Sequence, residues 1–376
     1  MTDGSERVVA GVDAHTDEHH VAVLDMRGRL LGAAAFPATG EGYRTLISWI
    51  EQYGEIERIG VESTGSFAAG LTRVLAARGI RVVEVNQPHP HTRQRRGKSD
   101  PIDAELAARA ALSGTATATP KQTGGIVEAI RQLTVVRDGA VKARSAALHQ
   151  LDDLVITAPD ELRAELARRK TLKGKASLCL KLRPDRATLG EPLQAAKLAL
   201  RSLARRIRDL DREIAELDTQ LEQLVRAAAP RTTTLLGVGI IHASQLLVTA
   251  GQNIDRLRSE TAFAKICAAA PIPASSGRTV RHRLDPAGDR AANRTLHLIA
   301  VCRLRYCPRT RAYAARRTAE GLSKREIIRC LKRYIAREIY HTLRADLATT
   351  QTPPTPQQII TIACGSGPIG ITRRRP

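Results

Sequence analysis

The chain has 376 residues, enough for two or three domains with cores of their own. Lys and Arg number 59 against 38 Asp and Glu, a net charge of +21, and such an excess points to a polyanionic partner, nucleic acid first. No apolar run approaches bilayer length and the amino terminus has no basic-then-apolar leader, so a cytoplasmic protein without a membrane partner is expected.

Only ten residues are Phe, Trp or Tyr, which argues against base-stacking platforms and leaves the grip on phosphate to Arg and Lys. The six cysteines form no C-x-x-C pair and no zinc-like group with His, and read as buried thiols. Charge is unevenly spread. Residues 1–70 carry five basic and eleven acidic side chains, whereas residues 275–340 carry seventeen basic and five acidic ones. An acidic front that holds metal and a basic back that holds nucleic acid would account for both.

In chain order, Val8–Val12 reads as a buried strand ending at Asp13, Val21–Leu24 as a second strand, and Leu30–Phe36 as a third after a turn at Asp25–Gly28. Gly42–Tyr53 has helical spacing. Arg58–Glu62 is a strand, a helix follows to about Gly79, and Arg81–Val85 is another strand. Three strands, helix, strand, helix, strand and helix make a mixed sheet flanked by helices, the order of the ribonuclease-H-like (RuvC-like) architecture. In such a sheet the first and fourth strands are neighbours, so Asp13 and Glu62 would share the carboxyl edge where ligands bind.

A basic run, His89–Arg96, then leads into Gly97-Lys98-Ser99-Asp100-Pro101-Ile102-Asp103. Asp100 can cap the helix it opens, Pro101 suits the first helical position, and Asp103 at N3 favours the positive helix end. A functional reading places both carboxylates on one face, sharing a divalent cation beside a polyanion held by Arg93, Arg95, Arg96 and Lys98. Four clustered carboxylates repel one another unless bridged by cations, and two Mg²⁺ ions are the usual solution where a phosphodiester is attacked.

Residues 126–156 have a helical pattern through Ile126, Ile130, Leu133 and Val136. From Leu193 to Leu224, apolar residues alternate spacings of three and four over more than four heptads, a coiled coil that implies self-association or a helical hairpin. Pro230 ends it. The stretch around Gly237 and Gly239 suits a helix-hairpin-helix whose turn amides face a phosphate, or an ordinary turn. Pro271–Arg283 sets Ser275-Ser276-Gly277 among Arg278, Arg281 and Arg283. That is a polar loop, or an exposed hydroxyl with cations ready for charge at phosphorus. The tail, rich in proline, reads as disordered.

Gly11-Val12-Asp13, Val61–Gly65 and Gly97–Ala104 together resemble the three catalytic blocks of insertion-sequence family 110 transposases, the DEDD-type, bridge-RNA-guided recombinases. The resemblance extends to about residue 345. It implies a catalytic domain over 1–157, a helical coiled-coil linker over 158–229, and a mainly helical C-terminal transposase domain over 230–345 before a tail at 346–376. It further implies Asp13, Glu62, Asp100 and Asp103 as ligands of Mg²⁺ (Mn²⁺ substituting), and Ser276 as nucleophile with Ser275 as competitor. Donor and target DNA, a structured guide RNA, a dimer assembling to a tetramer and a bacterial nucleoid setting complete the expectation. Two readings compete with it: a metal-dependent, structure-specific nuclease, and a non-catalytic nucleic-acid-binding scaffold.

Overall fold

A computed structural model describes residues 6–85, 99–277, 281–283 and 285–351. The expected phosphate contacts Arg93, Arg95, Arg96, Lys98 and Arg278 lie outside the described residues, as does the tail from residue 352.

The first unit is a five-stranded mixed sheet. Its elements are β1 (Arg7–Ala14), β2 (Glu18–Asp25), β3 (Leu30–Pro37), α1 (Gly40–Glu51), β4 (Glu55–Val61), α2 (Ala69–Ala77), β5 (Val82–Glu84) and α3 (Asp100–Leu112). Strand order is β3-β2-β1-β4-β5. The two hairpin pairings are antiparallel, and β1–β4 and β4–β5 are parallel. The expected adjacency of the first and fourth strands is therefore present.

Side-chain alternation along β1 separates two layers. Val8, Ala10 and Val12 pack with Leu46, Ile47 and Ile50 of α1 on one face, while Val9 packs with Ala111 of α3 on the other. Leu46, Ile47 and Ile50 are fully buried, and each stabilises the unit by about 1.5–3 kcal/mol. Thr39 caps α1 by accepting from Gly42 N at 3.1 Å.

The heptad helix is real, and its partner lies in the same chain. Helix α4 (Gly125–Thr157) runs against α7 (Pro192–Ala228), with short helices α5 (Asp160–Ala167) and α6 (Leu172–Cys179) between them. Arg144 pairs with Asp211 at 2.9 Å, and seven residues earlier Arg137 pairs with Asp218, seven residues later, so the helices are antiparallel. Of the two outcomes that the heptads allow, the helical hairpin is the one formed. Leu200, Leu203, Ile207, Ile214 and Leu221 are buried in its seam, but Val136 is half exposed. The seam of α4 uses Ile130, Thr134, Ala140, Ala147 and Leu151 instead.

The open end of the hairpin joins the C-terminal core, where Val127, Ile130, Leu221 and Val225 pack with the following elements. These are α8 (Ile240–Ala250), α9 (Glu260–Ile266), β6 (Ile272–Pro273), β7 (His282–Arg283), α10 (Arg290–Tyr306), α11 (Pro308–Ala319) and α12 (Lys324–Gln351). Helix α12 continues beyond residue 345, where the sequence suggested a tail, because Leu343 and Leu347 are fully buried and Asp346 is a structural ligand. Its carboxylate accepts from Arg231 N (3.1 Å), Thr232 N (2.9 Å) and the Thr232 hydroxyl (2.8 Å). Asp346→Ala would strand three donors in a site only 2 % exposed. A loss of about 3 kcal/mol is expected in denaturant unfolding, and a change below about 0.5 kcal/mol would refute this role.

The segment between α3 and α4 binds the sheet unit to the C-terminal unit. Glu84 N donates to Ala118 O (2.7 Å), Lys121 Nζ to Val248 O (3.1 Å), and Gln122 N to Asn253 Oδ1 (2.9 Å). Burial holds the Lys121 ammonium below its ordinary range. No helix among the described residues is long and apolar enough to cross a membrane.

Candidate metal centre and serine hairpin

Two glycines decide where the acidic site forms. Gly11 and Gly60 stand opposite each other in the β1–β4 register. A Cβ on Gly11 would lie 2.0 Å from Ala108 N and 2.2 Å from Ala104 O, and one on Gly60 would lie 2.5 Å from Ala107 O. Helix α3 thus rests its backbone directly on the sheet, through a stripe of fully buried Ala104, Ala107, Ala108 and Ala111. Side-chain alternation puts Asp13 two residues beyond Gly11 on that same face, and Glu62 two beyond Gly60. Glu62 N donates to Val12 O at 3.1 Å, carrying the pairing one step past the strand.

The start of α3 then meets the end of β1. Asp100 does not cap the helix. Ser99, extended at φ −150° and ψ 150°, occupies the cap position, and its carbonyl accepts from Ile102 N and Asp103 N at 3.0 Å each. The Asp100 carboxylate, one place further in, faces the sheet instead. It lies 3.5 Å from His15 Nε2 and 3.6 Å from His20 Nε2, and His15 Nε2 lies 3.2 Å from Asp13 Oδ2. Donor atoms of Asp13, His15 and Asp100 all fall within 4.8 Å of one another. Asp13 is 8 % exposed and Asp103, one turn into α3, is 2 % exposed. Glu62 and Asp103 flank this group rather than belonging to its tightest core.

Neither histidine figured among the residues expected from the sequence. His20 reaches the site because β2 pairs it directly with Asp13, and His15 because it follows the strand end by two residues. The neighbouring His19 points to the opposite layer, fully buried and stacked on Tyr43 with centroids 5.5 Å apart. Burial keeps its imidazole below the ordinary value. After Glu62, Ser63 adopts φ +54°, uncommon for a non-glycine residue. Its carbonyl accepts from Ser66 N at 2.9 Å, and Thr64 donates to Glu84 Oε1 at 2.7 Å. The backbone leaving the Glu62 strand is thereby held in a tight turn.

Such a donor set fits a divalent cation. Carboxylate oxygens suit Mg²⁺, and an imidazole nitrogen beside them also admits Mn²⁺. Until a cation binds, one imidazole N–H between two carboxylates offsets part of their repulsion.

The serine pair belongs to the C-terminal unit. Strands β6 and β7 pair Ile272 with Arg283 and Pro273 with His282, and Ala274 N donates to Arg281 O at 2.8 Å. Ser275 and Ser276 are exposed at the tip, followed by Gly277 at φ +55°. Arg329 of α12 donates to His282 O at 3.1 Å and fastens the hairpin to the helix. Arg281 and Arg283 are exposed beside it. Gly237 turns the chain at φ +84° against Ile299 and Cys302 of α10, and Gly239 caps α8 with open space where a Cβ would stand. Of the cysteines expected to be buried, Cys179 and Cys267 are; Cys302, Cys307 and Cys330 are only partly so. Burial pushes the Cys179 thiol up to about 11.

A sheet edge carrying converging carboxylates, joined to a strongly basic helical unit, defines a DNA-processing enzyme of the phosphoryl-transfer class. Comparison with known families makes this specific. Residues 10–157 match the DEDD transposase model for IS110 elements, and residues 229–315 match the model described as Transposase IS116/IS110/IS902 family. The chain belongs to the IS110 family of transposases, enzymes that recombine DNA. No curated protein matches it. Membership implies a DNA partner and use of a divalent metal, which the Asp13–His15–Asp100 cluster can accommodate.

Proposed function

We propose that this transposase cuts and rejoins DNA through a covalent phosphoserine intermediate. In this reading Asp13, Glu62, Asp100 and Asp103 hold Mg²⁺ on a ribonuclease-H-like sheet, and Ser276 attacks. The observation that carries it is the convergence of Asp100 on Asp13, produced by a helix laid backbone-to-sheet over Gly11 and Gly60. A capping role alone would not require that close approach.

The bound cation would withdraw charge from the scissile phosphate. The Ser276 hydroxyl gives up its proton as its oxygen bonds phosphorus, and the departing strand oxygen takes a proton. Reversal with a new strand end releases the serine and reseals the DNA, consuming no water. Arg281 and Arg283, on the strand that returns from the serine tip, are placed to balance charge at phosphorus. Serines and carboxylates sit on separate units, which suits assembly of the site from more than one protomer, with a structured guide RNA choosing donor and target.

The test is a trapped adduct. Wild type incubated with element-end DNA and Mg²⁺ is expected to yield a denaturation-resistant protein–DNA species, retained by Ser275→Ala and lost in Ser276→Ala. Cleavage by Ser276→Ala at the wild-type rate without adduct would make the reaction hydrolysis and the serine structural. Loss in Ser275→Ala alone would move the nucleophile by one residue.

A further inference from the structure

Beneath the serine hairpin lies a cavity of about 670 Å³, open to solvent, between the β6–β7 strands and α12. That volume is in the range of small-molecule sites and exceeds what a lone phosphate needs. Its chemistry is uneven in an informative way. Arg281, Arg283 and Arg329 give it a basic wall beside the hairpin. Tyr334 is 58 % exposed, in a chain with ten aromatic side chains in all. Its ring also lines the cavity and is braced edge-on by Tyr313, with centroids 5.7 Å apart.

Two buried charges complete the lining. Lys332 is 5 % exposed, and its ammonium donates to Asn293 Oδ1 at 2.8 Å. Asp285 is 4 % exposed; one of its oxygens accepts from Ala287 N at 2.9 Å, and the other is buried without a hydrogen-bond partner. A buried carboxylate oxygen left without a donor is costly, so its retention calls for a function. A group with an N–H would satisfy it. An anion would not.

We propose that this cavity takes one nucleotide unstacked from the DNA strand beside the serine hairpin. Its phosphate meets the arginines, its base stacks on Tyr334, and a base amino group donates to Asp285. Each part of the wall then has a partner of the matching chemistry: cations for phosphate, an aromatic face for a base, and an acceptor for an amine. Cytosine, whose exposed amino group is a donor that Asp and Glu accept, fits better than thymine, which has no amino group. Extrusion of one base would also expose the adjoining phosphodiester at the hairpin tip. This inference rests on DNA as the substrate and does not require Ser276 to be the nucleophile.

The experiment is calorimetric or NMR titration of the full chain with dCMP, dTMP and inorganic phosphate, in wild type, Tyr334→Ala and Asp285→Asn, with circular dichroism melts to verify folding. Wild type is expected to bind dCMP at least ten-fold more tightly than inorganic phosphate, and more tightly than dTMP. Tyr334→Ala should weaken dCMP about ten-fold or more while leaving phosphate unchanged, as loss of a stacking face does. Asp285→Asn should erase the preference for dCMP over dTMP. Equal affinity for phosphate and dCMP would reduce the cavity to an anion site and overturn the proposal. Indifference to Tyr334→Ala, or no binding of dCMP at millimolar concentration, would overturn it as well. Ser276→Ala should bind dCMP like wild type, which separates failure of this inference from failure of the phosphoserine mechanism.

Discussion

Gly11→Val is expected to abolish DNA cleavage even though the residue carries no side chain and touches no substrate. The first atom added would stand 2.0 Å from Ala108 N and 2.2 Å from Ala104 O. Both are backbone atoms of one helix, so no rotamer change relieves the clash and α3 must lift as a body. Overpacking of this kind costs about 1–3 kcal/mol, which a domain of this size survives. The site does not survive it so easily. Displacing α3 by about 1 Å moves Asp100 and Asp103 relative to Asp13 and Glu62, and misplacement on that scale costs on the order of a hundred-fold in rate. Valine, with two further methyls, should cost more than alanine. Gly60→Ala, at 2.5 Å from Ala107 O, should behave like a milder Gly11→Ala. Gly139 provides the contrast: it lies within α4 with nothing within 4 Å of its would-be Cβ. Gly139→Ala should stabilise the chain by about 0.5–1 kcal/mol with cleavage unchanged. Strand-cleavage rates and melting curves for the four variants check this. Wild-type cleavage by Gly11→Val would mean that the position of α3 does not set the site.

The same glycines show why part of the site was legible in the sequence and part was not. Asp13 and Glu62 end apolar runs, and an acidic residue after such a run stands at a strand's carboxyl edge whatever the fold around it. Asp100-Pro101 announces a helix start by the same local logic. The error of one residue in the cap was also local: Ser99 and Asp100 are both good caps, and only the packing of α3 chose between them. His15 and His20 needed non-local information. His20 acts at Asp100 only because the β1–β2 hairpin is registered to put it opposite Asp13. Heptads on α7 declared a partner without naming one. Its mate, α4, has Thr134, Ala140 and Ala147 in the seam, small residues that make a weak pattern. The cavity under the serine hairpin was the least legible feature, being assembled from hairpin strands and two faces of α12 far apart in sequence.

Asp13→Asn is expected to have the second large effect, and its sign on stability reverses with the cation. Asparagine keeps the shape of the side chain and one acceptor oxygen while removing the charge. In the absence of divalent metal, Asp13 is a nearly buried carboxylate 3.2 Å from His15 Nε2, which in turn is 3.5 Å from Asp100. Removing one of several crowded negative charges relieves repulsion, so metal-free Asp13→Asn should be no less stable than wild type. With Mg²⁺ present the order inverts. A ligand that binds only the folded state stabilises it by about 2.7 kcal/mol when its free concentration is a hundred times Kd, and a variant short of one anionic ligand forfeits most of that gain. Wild type should therefore melt higher on adding Mg²⁺ and return to its starting point with chelator, whereas Asp13→Asn should respond little to either. Cleavage and adduct should both fall by a thousand-fold or more, since the charge at phosphorus is then left without its cation. Ser276→Ala completes the comparison: it should lose the adduct yet keep the full Mg²⁺-dependent rise in melting temperature, because the serine is on another unit. A Ser276→Ala protein blind to Mg²⁺, or an Asp13→Asn protein that still responds as wild type does, would place the cation somewhere other than between β1 and α3.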